Sequence, residues 1–180
     1  VESASAQVTW NMRAGIGMGH AYWFDSPWLT SKIGIGIEKP LARSWSFMPS
    51  LEVAYNHYRF WRYSKLSGNG WNAEGEIGYA VNWFDIQVPI LAAYRMNLSN
   101  KWNLLLKAGP YITYAFLVSK PSEDVFNYFD LEGTFGLDFG IDFERKHWVF
   151  GLEYHFGFLE FDYGADVGFG ALYATVGFKF

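Results

Sequence analysis

Four histidines, His20, His57, His147 and His155, are the side chains of this 180-residue chain best suited to moving protons near neutral pH. His20 stands close to Asp25 and Ser26, the only local grouping of a base, a carboxylate and a hydroxyl, which is the composition of an acyl-transfer site. No H-x-S triplet accompanies it, and H-E-x-x-H, P-loop and G-x-S-x-G patterns are absent throughout. The plainer reading of His20, Asp25 and Ser26 is a polar loop, and no catalytic residue is expected. The sequence contains no cysteine, which removes thiol nucleophiles, zinc–thiolate sites and iron–sulfur clusters. Glu160, Asp162 and Asp166 form an acidic run of oxygen donors of the kind calcium takes, but without a fixed ligand spacing. Neither a metal nor a cofactor is therefore expected. A net charge of -4 leaves no basic footprint for nucleic acid.

The elements that must position these residues follow a period of two. Within Phe129 to Glu144, Asp130, Glu132, Asp138, Asp142 and Glu144 share one parity, while Phe129, Leu131, Phe135, Leu137, Phe139, Ile141 and Phe143 take the other. Such alternation is the mark of a strand with one apolar and one polar face. It recurs in Val8 to Tyr22, around Ile33 to Ile37, in Trp45 to His57, Phe84 to Met96, Trp102 to Phe116, Trp148 to Phe158 and Leu172 to Phe180. The prediction is eight amphipathic antiparallel strands in a single domain spanning 8–180. Residues 1–7, with an A-x-A pattern at Ala4 to Ala6, are expected to be a tail or the remnant of a signal peptide.

Connection lengths alternate as well. Short links fall around Lys39 to Ser44, Leu98 to Lys101 and Arg145 to His147; long ones fall at Trp23 to Thr30, Arg59 to about Ala80, Leu117 to Tyr128 and Leu159 to Gly168. Short turns at one rim and long loops at the other describe an up-and-down transmembrane barrel of the bacterial outer membrane. Tryptophan placement separates this from a soluble, lipocalin-like carrier with an apolar cavity. Trp10, Trp45, Trp102 and Trp148 flank the chain end or the short turns, and Trp23, Trp28, Trp61 and Trp71 lie in or beside long loops, as interfacial girdles require.

With the apolar face toward lipid, the polar face lines the lumen. Arg13, Lys32, Arg95 and Lys107, joined by Lys179, are expected to meet Glu132, Asp138, Asp142 and Glu153 in ion-pair networks, because an unpaired charge in a closed lumen is costly. Eight strands enclose side chains and leave no wide pore. His155 shares the parity of Glu153 and reads as a hydrogen-bonded lumen histidine. In the second long loop, Arg59, Trp61, Arg62 and Lys65 interleave cations with aromatic residues. They are candidates for contact with lipopolysaccharide phosphates or a surface partner; the alternative is a strand continuing above the membrane with solvated charges.

Three strands carry a family resemblance. Phe84-Asp-Ile-Gln-Val-Pro-Ile-Leu-Ala-Ala-Tyr-Arg-Met96 resembles the "Y-L-E-I-P-L-L-L-K-Y" strand of the PorT-like outer-membrane barrels of Bacteroidota; Lys107-Ala-Gly-Pro-Tyr-Ile-Thr-Tyr114 resembles their "A-G-P-Y" strand, and Phe129 to Gly140 their "D-x-G-L-x-x-G" strand. More loosely the chain is similar to OmpX/OmpA-type barrels. Phe178 and Phe180 are similar to the carboxy-terminal signal read by the outer-membrane assembly machinery. The resemblance implies an outer-membrane location and a barrel fold; the expected protein is a monomer with periplasmic termini, in contact with outer-membrane lipids and lipopolysaccharide, in a structural or surface-binding role. Lipid A acyltransferases and deacylases, similar in size, are the enzymatic alternative.

Overall fold

A computed structural model of the chain describes the backbone of residues 7–21, 27–68, 71–99, 101–119, 133–160 and 166–180, and the side chains of 7–20, 27–59, 78, 80–99, 101–116, 133–158 and 170–180. Eight strands follow in order: β1 (Thr9–Ala21), β2 (Trp28–Pro40), β3 (Trp45–Gly68), β4 (Trp71–Ser99), β5 (Trp102–Ser119), β6 (Thr134–Arg145), β7 (Trp148–Glu160) and β8 (Asp166–Lys179). Each pairs with its sequence neighbour, and β8 returns to β1, so the sheet is a closed antiparallel barrel. Reciprocal backbone hydrogen bonds between Trp10 and Phe180, at 3.1 and 3.0 Å, complete the seam where the chain ends meet. Closure leaves no sheet edge to face hydrocarbon, which is the condition for a β-structure to span a bilayer.

The alternation read from sequence is realised as a two-sided wall. Ile16, Ile33, Leu51, Ile86, Ile112, Phe139, Leu152 and Val176 are exposed on the outer surface, whereas Arg13, Lys32, Glu52, Lys107, Asp142 and Glu153 are buried inside. This inversion of the soluble pattern follows when the surroundings are lipid. The tight turn Lys146–His147 places Lys146 at φ 53, the left-handed backbone of a two-residue hairpin turn.

Two expectations are corrected. β2 begins at Trp28, inside the segment read as a long loop, and Trp28 therefore shares the inward parity of Thr30 and Lys32. It is 5% exposed, packed in the lumen near Trp83 and Tyr58 instead of in an interfacial girdle. The indole lies where a side chain at Gly19 would stand, so the position opposite it in the ladder must be glycine. The second concerns the segment from Arg59 to Ala80, where the structure takes the alternative of a strand continuing above the barrel in place of a long loop. It is a hairpin of one register from Trp45↔Tyr94 to Gly68↔Trp71, unbroken from Glu52↔Gln87 upward and extending past the last β2 pair, Leu29↔His57. Hydrogen-bonded pairing of one strand with the next carried the sheet beyond the barrel rim, where no loop was needed.

Candidate functional site

The lumen is layered. Nearest the loop end, Trp28, Tyr58 and Trp83 fill the barrel with rings, and Trp28 Nε1 donates to Asn56 Oδ1 at 3.1 Å while Asn56 Nδ2 donates to Asp85 Oδ2 at 2.7 Å. Thr30 and Tyr173 share a hydrogen bond at 3.1 Å just below.

The central layer is an ion-pair network contributed by six strands. Arg13 reaches Asp142 at 2.7 Å and Glu153 at 3.0 Å. Lys32 reaches Glu52 at 2.8 Å and Glu153 at 2.5 Å, and Lys107 reaches Glu153 at 2.6 Å and Asp142 at 3.0 Å. Glu153 thus serves three cations. His155 Nε2 accepts from the Lys32 ammonium at 3.1 Å and stands 3.3 Å from Asp138, with its ring between Tyr111 and Tyr173. Glu52, Glu153 and His155 present ligand atoms within 4.8 Å of one another, a set that resembles a metal centre. The Lys32 ammonium already stands among them and supplies the positive charge that a metal would.

Below lies an apolar layer of Met48, Leu91, Ala93 and Leu105. A second ring closes the short-turn end: Glu38 accepts from Ser46 at 2.8 Å, Arg95 at 2.6 Å and Lys179 at 2.6 Å, and Glu144 pairs with Lys179 and, at 3.1 Å, with Arg95. Arg13, Lys32, Lys107, Asp138, Asp142 and Glu153 are therefore brought together, while Arg95 belongs to a separate ring. Glu132 lies outside the described residues. Glu38 and Glu52 are the members that sequence reasoning missed, although both lie on the polar parity of their strands, β2 and β3.

On the outer face, polar side chains stand out against the aliphatic band. Tyr55, His57 and Arg59 project outward from β3 beside Asn82 of β4, and His57 and Asn82 are paired in the ladder. The Tyr55 hydroxyl donates to Asn82 Oδ1 at 2.8 Å, and His57 Nδ1 lies 2.6 Å from the same oxygen. Since Asn82 Oδ1 can only accept, His57 carries its proton on Nδ1, and its Nε2 accepts from Arg59 Nε at 3.1 Å. One chain of hydrogen bonds therefore holds the guanidinium just above the Tyr55–Phe84 ring pair, whose centroids are 5.1 Å apart. The side chains of Trp61, Arg62 and Lys65 lie outside the described residues, although their backbone continues the same hairpin.

His20 also faces outward, across Gly170 from Tyr154, whose hydroxyl is 3.5 Å from His20 Nε2. A side chain at Gly170 would collide with both rings, so the contact depends on glycine there. Asp25 and Ser26, its expected companions, lie outside the described residues, as do the side chains of Glu160, Asp162 and Asp166. Trp10, Trp45 and Trp148 are exposed at the short-turn rim, and Trp102 is half-buried with the Arg145 guanidinium 5.4 Å from its ring. Phe178 and Phe180 face outward beside them, the Phe178 ring packing edge to face with Trp148.

Among solved structures, Neisserial surface protein A aligns over 96% of this chain and 97% of its own at 14% identity and a TM-score of 0.54. The outer membrane enzyme PagL aligns over 93% and 98% at 10% identity and 0.56. The attachment invasion locus protein Ail of Yersinia pestis aligns over 97% and 99% at 13% identity and 0.48. At such identities the likenesses to Neisserial surface protein A and PagL speak to the fold alone. No curated protein matches in sequence. The profile of the outer membrane protein beta-barrel domain matches residues 6–180, nearly the entire sequence. With a closed eight-stranded barrel, an apolar exterior and a charged interior, the chain belongs to that family of bacterial outer-membrane barrels.

Proposed function

We propose that the protein is a non-catalytic surface barrel of the PorT-like type, with its loop end outside the cell, and that its outer rim between β3 and β4 holds the phosphorylated headgroup of lipopolysaccharide. The observation that carries this is the hydrogen-bonded row Tyr55, Asn82, His57 and Arg59. It fixes a cation on the lipid-facing surface immediately above the apolar band. A guanidinium positioned through its Nε by a neighbouring side chain is a ready partner for a phosphate oxygen. The backbone of Arg62 and Lys65 extends the same hairpin, Lys65 at the parity of Arg59 and Arg62 at the opposite one. The PorT-like assignment is supported by the β4, β5 and β6 sequence patterns, and the outward-facing aromatic residues Phe178 and Phe180 are in keeping with handling by the assembly machinery. The layered lumen supports a plugged monomeric barrel without a conducting pore.

The test compares association of the folded protein with vesicles that contain lipopolysaccharide and with vesicles of neutral phospholipid. Arg59→Ala and the triple change at Arg59, Arg62 and Lys65 are expected to weaken lipopolysaccharide association progressively, by roughly ten-fold for each charge-assisted hydrogen bond removed. Heat-modifiable migration on a denaturing gel confirms that each variant is folded. Association that is unchanged in the triple variant overturns the headgroup reading. Orientation is tested separately: a cysteine at Ser67 should react with an impermeant thiol reagent on intact cells, and one at Leu41 should not.

A further inference from the structure

Proline in the middle of a sheet removes a ladder donor and is ordinarily confined to edges or bulges. This barrel has no edge, yet Pro49, Pro89 and Pro110 lie within β3, β4 and β5. The ladders break at the same places. β2 and β3 pair as far as Gly36↔Ser50 and resume at Lys39↔Phe47. β3 and β4 pair at Pro49↔Ile90 and next at Glu52↔Gln87. β4 and β5 pair at Pro89↔Tyr111 and next at Ala92↔Ala108. Register is the same on both sides of every gap, so the pairs are interrupted in place and no residue is inserted. The ladders β1–β2, β1–β8, β5–β6, β6–β7 and β7–β8 run without interruption. Because Pro49 pairs with Ile90 and the register sets Ile90 opposite Pro110, the gaps adjoin as one seam across three neighbouring ladders.

The outer side of this seam is apolar, and an apolar layer lies behind it between two charged ones. Leu51, Val88 and Ile90 are exposed on the outside, within the aliphatic band. Directly behind lie Met48, Leu91, Ala93 and Leu105, the apolar layer of the lumen. At the β2–β3 gap, a cavity with room for about one water molecule lies between Ile37, Met48, Pro49 and Leu91 on one side and the polar groups of Asn11, Arg13, Ser50, Glu52, Lys107 and Glu153 on the other. Spanning structures ordinarily keep every backbone group paired against hydrocarbon, so a wall with three adjoining gaps opens there more readily than elsewhere.

We infer that the seam is a lateral portal through which an acyl chain of a membrane lipid enters the apolar layer of the lumen. Hydrocarbon is the medium outside this part of the wall. Behind it, the layer of Met48, Leu91 and Leu105 offers hydrocarbon an apolar surface beside the charged groups that border the cavity. Met48, unbranched and flexible, can swing aside, and Ala93 occupies little of the space. The depth of entry is bounded on one side by the network of Arg13, Lys107 and Glu153 and on the other by the ring around Glu38. The occupant is accordingly the end of one chain, and the portal is independent of the headgroup row at the rim.

The experiment uses the native protein folded into phosphatidylcholine vesicles in which a fraction of the lipid carries a photoreactive diazirine at the end of one acyl chain. After irradiation, adducts are mapped by mass spectrometry. The expected result is adducts on Met48 and Leu91 in addition to those on outward-facing Ile90 and Ile112. Pro49→Val with Pro110→Val restores amide donors and should lower the lumen adducts by roughly ten-fold, the factor about one net backbone hydrogen bond confers, with exterior adducts unchanged. Adducts confined to outward-facing residues in the native protein overturn the portal, with no variant required. Lumen adducts that persist undiminished in the folded double variant overturn it as well.

Discussion

Glu153 is the acceptor on which the central lumen charges converge, touching Arg13, Lys32 and Lys107 while almost wholly buried. Removing it leaves three cations sharing Asp142 and Glu52, and stranding buried charge costs far more than the net worth of the pair. Glu153→Ala should therefore destabilise the folded barrel by about 3–5 kcal/mol, read as a lower urea midpoint for unfolding from lipid vesicles. Adding Lys32→Met should recover part of that loss, because one stranded cation is then gone; the two changes should be clearly non-additive. If Glu153→Ala leaves the midpoint unmoved, the network contributes nothing to stability. The parity of Arg13, Lys32, Lys107, Asp142 and Glu153 was enough to place them inside. Which cation meets which carboxylate was not, since the partners Arg13 and Asp142 are 129 residues apart and meet only when the sheet closes.

Among the elements, the β3–β4 hairpin departs most from its sequence reading. Its strands pair with each other from the short-turn end to Gly68↔Trp71, but β3 has no β2 pair beyond His57, and β4 none with β5 before Asn82. The part above the rim thus makes ladder contacts only within itself among the described residues. Replacing 60–79 by an Asn-Gly turn should leave heat-modifiable migration intact and change stability by less than about 1 kcal/mol, the scale of one backbone hydrogen bond. It should nevertheless abolish the contribution of Arg62 and Lys65 to lipopolysaccharide association. A truncated chain that fails to fold would show that the projecting ribbon nucleates the barrel. Strand content here was concealed because alternation in Arg59 to Ala80 mixes cations and rings on both parities, where a bilayer no longer sorts the faces.

For the whole molecule, the bilayer is the solvent that gives the apolar exterior its stability. Leu152→Arg on the outer face should destabilise by about 2–4 kcal/mol if it sits near the midplane, whereas the same change at Val8, near the rim, should cost at most about 1 kcal/mol. Equal small effects at both positions would contradict burial of this surface in lipid. Sequence alone determined that the chain forms eight amphipathic strands, because a period of two and its interruptions are local properties of neighbouring residues. The outer-membrane reading also rested on local pattern, through the rim tryptophans and the parity of charge. Tertiary structure decided the rest. Closure of β1 on β8 selected the ion-pair partners, and the start of β2 at Trp28 turned that indole into the lumen. Prolines 61 residues apart in sequence, Pro49 and Pro110, became neighbours in one seam only through the register of the strands between them. Parity fixes the side of a wall on which a residue stands; its neighbours along that wall depend on long-range pairing, which no local period encodes.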